Sequence, residues 1–277
     1  MRRALGSAAG IVMNTEEAAR LVGGRFPELG ARVRDPIPNG FDPADLIAGP
    51  APEPDPAFRI VHSGYLHTEL GGRGGVRRML DWQDREVDRG ARSHVHLLAA
   101  LAELAATPAP RRIELHLAGV LTRADREAVP ATVTVREHGY LPHAESIRLL
   151  RSADLLFLPM HDLPAGRRAT IVPGKTYEYL ACGRPILAAV PDGDARDLLA
   201  ASPEVRLCRP QDVGAMVRIL SEELRRAPAV DVDRSAIVAP FERRRIALRM
   251  AEVLDAAAGA NSASGLLRSA EVAPAEG

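Results

Sequence analysis

The stretch VPGKTYEYLACGRPILA, residues 172–188, decides how this chain folds. KTYEYLA reads as a short helix that Gly183 and Pro185 stop, and PILAAV after them is an apolar run of strand length. A helix closed by Gly-x-Pro and followed at once by such a strand is one step of a strand-and-helix alternation.

The alternation continues in both directions. Before it stand the strands FRIVHS (58–63), IELHLAG (113–119), VTVREHGY (133–140) and DLLFLP (154–159), with HVHLLAALAELAA (94–106) and AESIRLLRS (144–152) as helices. After it come the helix DARDLLAA (194–201), the strand VRLC (205–208) and the helix DVGAMVRILSEEL (212–224). Short apolar strands alternating with helices predict an α/β fold, a Rossmann-like doubly wound parallel sheet. Ligands of such sheets bind where the carboxyl ends of strands feed into loops.

Towards the amino terminus, AAGIVM (8–13) reads as a strand and 15–23 as a short helix. Pro36, Pro38, Asn39-Gly40 and Pro43 mark turns through 32–46, with no regular element expected there, and 48–57 is a proline-rich linker. The expected organisation is an amino-terminal unit and linker (1–55), the sheet domain (56–226), a carboxyl-terminal helix (227–258) and a disordered tail (259–277). Residues 67–91, glycine- and charge-rich around Trp82, interrupt the order as an insertion or a lid. The last helix carries an apolar stripe through Ile246, Met250, Val253 and Leu254.

Totals exclude several functions. With 277 residues and 46% hydrophobic content, the chain buries a substantial core. Lysine plus arginine and aspartate plus glutamate are equal at 36 each, and aromatics are only 4%, so nucleic acid is not an expected partner. Cys182 and Cys208 make neither a disulfide framework nor a CxxC pair, which suits a reducing cytoplasm. MRRALGSAAGIVM lacks the apolar length of a signal peptide, and no stretch reaches the roughly 20 apolar residues of a membrane span. Lys175 is the single lysine; coding bias towards arginine makes its survival informative, because a compact ammonium is not a planar guanidinium.

Residues 169–176, ATIVPGKT, fit the loose spacing of a phosphate loop. The context argues against that reading. The first glycine is Ala169, Pro173 has no amide to donate, and the acid-ended run DLLFLPMHD precedes the loop instead of following it as a magnesium-holding strand would.

VPGKTYEYLACGRPILA resembles the nucleotide-sugar motif of glycosyltransferase family 4 and its relatives on the GT-B fold, where a helix-start glutamate is followed by Ala-x-Gly-x-Pro and a strand. IPNGFD (37–42) is similar to the hinge between the two GT-B domains, HSGYL (62–66) to the first loop of the donor domain, and HGYLPHAESIRLLRSADLLFLP (138–159) to its middle strand-helix-strand. The likeness runs in order from about residue 8 to 258. It implies the carboxyl-terminal, donor-binding domain, with most of the amino-terminal acceptor domain missing.

The resemblance also implies roles. Glu178 matches the glutamate that accepts hydrogen bonds from the ribose hydroxyls, a task a carboxylate suits; a helix-start acid complementing the dipole is the plain alternative. Arg92 matches the basic residue on the donor diphosphate, usually lysine, and otherwise is a solvated helix-start arginine. Gly64 lets backbone approach the donor, while the arginine usual after it is Tyr65 here. Where many members carry a second glutamate eight residues before Glu178, this chain has Thr170. A subgroup with PGK-x-x-EYLA also lacks that acid, and there Lys175 and the amides near Gly174 take over sugar or phosphate contacts. Gly139 and Tyr140 are candidates for the base.

Other patterns point nowhere new. Asp192-Gly-Asp194 reads as an N-cap and first-turn acid of a helix rather than a metal pair, and His94 and His96 point apart on a helix. No metal site and no cofactor are expected. His161 and Asp162 are either cleft or surface-loop residues.

The implied activity is hexosyltransferase-like: metal-independent, retaining transfer from a nucleotide-sugar to a glycan, lipid or small-molecule acceptor. The expected place is the cytoplasm or the inner membrane face, with a separate acceptor-domain chain as a candidate partner. Two alternatives stay open: a non-catalytic nucleotide-sugar-binding or scaffold subunit, and a sugar-nucleotide epimerase.

Overall fold

The computed structural model describes residues 5–47, 56–71, 87–107, 109–226 and 232–270. Six strands form one parallel sheet: β1 (Phe58–Ser63), β2 (Ile113–Ala118), β3 (Thr134–Gly139), β4 (Leu155–Pro159), β5 (Ile186–Ala189) and β6 (Val205–Cys208), in the order β3-β2-β1-β4-β5-β6. Register is set by pairs such as Phe58 with Ile113, Ile60 with Leu155, Leu156 with Ile186 and Ile186 with Val205. The chain winds outward from β1 to β3, then returns to lay β4 on the other side of β1. The order therefore reverses between β1 and β4, and above the carboxyl ends at such a switch point doubly wound sheets hold their ligand crevice.

The helices are α1 (Glu16–Arg25), α2 (Pro43–Ile47), α3 (Thr68–Gly71), α4 (Val95–Leu104), α5 (Arg123–Glu127), α6 (His143–Arg151), α7 (Lys175–Ala181), α8 (Asp194–Ala200), α9 (Val213–Arg225), α10 (Ser235–Val238) and α11 (Arg243–Ala270). They cover both faces. On one, Val61, Leu156, Leu158, Ile186 and Ala188 pack with Ile147, Leu150, Tyr177, Leu180 and Leu199. On the other, Phe58, Ile60, Leu115, Leu117, Leu155 and Phe157 pack with Leu97, Leu101, Met216 and Leu220. Every residue of β4 and β5 is buried, which is why both read as unbroken apolar runs. Side-chain caps fix several starts: Thr15 accepts from Ala18 N, Asp212 accepts from Ala215 N, and Thr122 and Asp125 close a capping box.

The amino-terminal segment keeps a small core of its own, Ile11, Val22, Phe26 and Leu29. It docks on the sheet domain through polar contacts: Thr15 Oγ1 donates to Thr170 O at 2.8 Å, Glu17 N donates to Asp194 at 2.7 Å, and Arg168 pairs with Glu17 at 2.7 Å.

Several expectations are corrected. The strand expected at 8–13 is reduced to one parallel bridge between Ile11 and Val33, since Gly10 and the turn at Asn14-Thr15 leave no length for a ladder. Pro43, expected to forbid regular structure, opens α2, because a first-turn proline sacrifices no helical hydrogen bond. The cap of α8 is Gly193, with Asp194 its first residue; Asp192 pairs with Arg196 and Arg209 instead. The last helix does not stop at 258 but continues to Ala270, since no proline interrupts its alanine-rich sequence. Within its expected stripe Ile246, Met250 and Val253 are half-buried, whereas Leu254 is 61% exposed. Residues 48–55 of the linker, 72–86 of the insertion with Trp82, and 271–277 lie outside the described residues.

Candidate functional site

Strand β1 ends at Ser63 and the chain turns at Gly64, whose φ of +117° favours glycine. Two helices hold this turn. The Ser63 amide donates to the Tyr179 hydroxyl of α7 at 2.9 Å, and the Ser63 and Ser146 hydroxyls, the latter on α6, lie 2.8 Å apart. Tyr179 is fully buried, so the first turns of α7 are pinned to the end of β1.

Lys175 stands one helical turn before Tyr179 and so points the same way. Its Nζ lies 3.3 Å from His62 Nε2 and 2.5 Å from where a Cβ on Gly64 would stand. His62 Nδ1 is 2.9 Å from the Phe157 carbonyl, which only accepts, so Nδ1 carries the proton and Nε2 presents its lone pair to the lysine. Burial, reinforced by the charge of Lys175, holds the His62 pKa well below its usual value. Burial and then the nearby Arg92 guanidinium push the Lys175 amine down to about 7, against a smaller opposite pull from Glu178.

Arg92 precedes α4 and is half-buried, which lowers its own pKa. Among the described residues its guanidinium has no hydrogen-bond or ion-pair partner, and no carboxylate lies within ion-pair distance of Lys175. The groups whose titration Arg92 depresses, His62, His67, His161 and Lys175, mark out its surroundings. Two cations thus face the crevice without a neutralising acid in contact. Desolvated charge left unpaired is costly, and an anion would relieve it.

The rim of the crevice is backbone. A Cβ on Gly119 would come 2.8 Å from the Gly64 carbonyl; Gly64 N donates to Ala118 O and Gly119 N to Gly139 O, each at 2.7 Å. Gly64, Gly119 and Gly139 therefore form a continuous shelf across the ends of β1, β2 and β3. Tyr140, beyond it, is 80% exposed. Gly174 is the exposed residue before α7, with open space where a side chain would be. Glu178 is half-buried one turn after Lys175, and among the described residues its carboxylate has no hydrogen-bond partner.

Gly64, Arg92, Lys175 and Glu178, far apart in sequence, are brought to one crevice, and Gly139 joins them through Gly119. His62 and His67 were missed by sequence reasoning. The available signal for His62 was a polar residue after the apolar pair Ile60-Val61, two places before a glycine turn. His161 lies close enough to feel the charge of Arg92, whereas Asp162 is paired with Arg209 at 2.7 Å. His94 is not on the helix but caps it, buried, with Nε2 3.0 Å from Asp125 O. Among the described residues no group of three or more His, Cys, Asp or Glu is arranged to hold a metal ion, and no helix is long and apolar enough to cross a membrane.

No family model and no curated protein sequence matches this chain. Solved structures do. A sucrose-phosphate synthase from Thermosynechococcus elongatus superposes with a TM-score of 0.55 at 19% identity, over 90% of this chain and 58% of that one. An alpha,alpha-trehalose-phosphate synthase (UDP-forming) from Burkholderia vietnamiensis gives 0.58 at 12% identity, over 90% and 59%. The lipopolysaccharide outer core galactosyltransferase WaaB, in its apo form, gives 0.53 at 13% identity, over 89% and 62%. The likeness shows the fold, a Rossmann-like doubly wound sheet, and this chain spans about three fifths of the length of each.

Proposed function

We propose that this chain binds a nucleotide-sugar at the β1/β4 crevice and supplies the donor side of a metal-independent, retaining glycosyl transfer. The observation that carries the reading is the pair Arg92 and Lys175, two half-buried basic side chains with no acid in contact, beside a glycine shelf at the point where the strand order reverses. A diphosphate matches that charge, and fixed cations stabilise the departing diphosphate as the sugar bond breaks. Arg92 offers a bidentate fork and Lys175 a point charge. Glu178, with free acceptor oxygens, takes the ribose hydroxyls, and Gly139 and Tyr140 flank the base.

The structural neighbours support the direction of this reading, since one is a galactosyltransferase and another UDP-forming. UDP-sugars are therefore the first donors to try. The acceptor, a glycan, lipid or small molecule, comes from a second domain or chain. The test is calorimetric titration with UDP-, GDP- and ADP-sugars in the presence of a chelator, beside Mg-ATP. Binding of one nucleotide-sugar without metal supports the reading; binding of Mg-ATP alone would replace it with a phosphate-loop function. Donor binding without transfer to any acceptor would leave a nucleotide-sugar-binding subunit.

A further inference from the structure

The contact between Lys175 and His62 goes further than charge complementarity. A lysine that serves only as a point charge sits in water or beside a carboxylate. Lys175 does neither: its Nζ is lodged against Gly64, and its hydrogen-bond partner among the described residues is the lone pair of a neutral, buried imidazole. The His62 tautomer is locked by the Phe157 carbonyl, so Nε2 accepts whether the lysine is an ammonium or an amine. The charged groups around Lys175 come from every neighbouring element: His62 on β1, His67 after it, Arg92 before α4 and Glu178 on α7 itself. His94 and Arg92 act on His62 in turn, and of all these only Glu178 favours a charged lysine.

We propose that Lys175 in the free protein docks on His62 as an uncharged amine, and that capture of a diphosphate is coupled to uptake of one proton by Lys175. His62 is the positioning residue: it holds the amine off the solvent, next to Arg92, where the proton is easily lost. The incoming diphosphate supplies the negative charge that the site lacks, and the amine takes a proton from water to become the ammonium that pairs with it. The depressed titration of Lys175, near 7 in the free protein, agrees with this arrangement. Donor capture is then favoured on the acid side of neutrality and weakens as the medium turns alkaline. The coupling rests on the nucleotide-sugar reading above, whereas the state of the free lysine does not.

Because Lys175 is the only lysine, the full chain labelled with carbon-13 lysine gives one side-chain signal whose pH titration is read directly, without ligand. A midpoint near 7 is expected, moving up in Arg92→Gln, where a repelling charge is gone. It moves down in His62→Phe, where the ammonium loses its acceptor to an apolar ring of similar size, while His62→Gln, which keeps an acceptor, stays near wild type. A merely structural His62 would leave the lysine midpoint unmoved in both His62 variants. UDP, GDP and ADP are then titrated from pH 7.5 to 9 in buffers of different ionisation enthalpy. The expected result for the nucleotide that binds is uptake of close to one proton and an affinity falling about tenfold per pH unit. A lysine that titrates in the ordinary range overturns the inference alone. Diphosphate binding with no proton uptake overturns it and leaves the nucleotide-sugar reading standing. No diphosphate binding at all overturns both the reading and the coupling, even if the lysine titrates near 7.

Discussion

The space that a side chain at residue 64 would occupy is taken by Lys175, whose Nζ lies 2.5 Å from the position of a Cβ on Gly64. A residue just after the first strand and one on the fourth crossover are thereby made dependent on each other. Gly64→Ala should push the lysine out of its dock and lower nucleoside diphosphate affinity by roughly tenfold, about 1.4 kcal/mol. The positive φ adds about 1 kcal/mol of strain, so the midpoint of urea unfolding should fall with it. An unchanged affinity would mean that the contact is incidental.

A basic side chain desolvated without an acid in contact costs stability, whether it stays charged or gives up its proton. Lys175→Met should therefore raise unfolding free energy by about 1 kcal/mol at pH 7 while removing diphosphate binding, the trade expected of a functional rather than a structural residue. Denaturant melts of the two proteins decide it; a less stable variant would show that the lysine is structural.

Arg234 is the opposite case. It is 3% exposed, and its guanidinium donates to the carbonyls of Leu180, Arg184, Pro203 and Glu204, so it staples the end of α7 and the start of β6 to the chain before α10. Arg234→Met leaves those carbonyls short of donors and should cost about 3 kcal/mol, seen as a lower urea midpoint. Ligand affinity per folded molecule should stay the same.

Acid should loosen the fold through the edge of the sheet. His116 Nδ1 and His138 Nε2 lie 3.0 Å apart, with Glu114 3.2 Å from His116 Nε2, so neutral rings satisfy the chain when His116 Nε2–H donates to Glu114 and His138 Nε2–H donates to His116 Nδ1. Burial lowers both histidine pKa values, aided for His138 by His116 and for both by Arg59. A folded-state pKa below the unfolded value means that the unfolded chain binds more protons in that window. Stability is therefore complete above about pH 6.5 and lost as pH falls below it. Urea midpoints measured at pH 7.5 and 5.5 should drop, and the drop should shrink when both histidines are replaced by glutamine. The depressed His62, His67, His94 and His161 add to the same trend and set the residual slope.

The sheet was legible because its signals are local. KTYEYLA, PILAAV and DLLFLP carry their own periods and stops, and the structure has α7, β5 and β4 at those places. The amino-terminal strand was not, since AAGIVM is apolar for the sake of a small separate cluster and makes only one bridge. Arg92, Lys175 and Glu178 could be named because the stretches that carry them resemble a family's motifs. His62 could not, because its part depends on a contact across the sheet with a residue more than a hundred positions away. The Gly119 link is equally invisible in sequence: only the parallel register brings its backbone onto that of Gly64.

The most direct test of the account is the calorimetric affinity of the nucleoside diphosphates UDP, GDP and ADP, in chelator at pH 7, for wild type and for Arg92→Gln, Lys175→Gln and Glu178→Ala. The account predicts that one nucleotide binds wild type without metal, that its monophosphate binds more weakly, and that each substitution costs roughly tenfold or more. Binding that needs a divalent ion, or that survives all three substitutions unchanged, would contradict it.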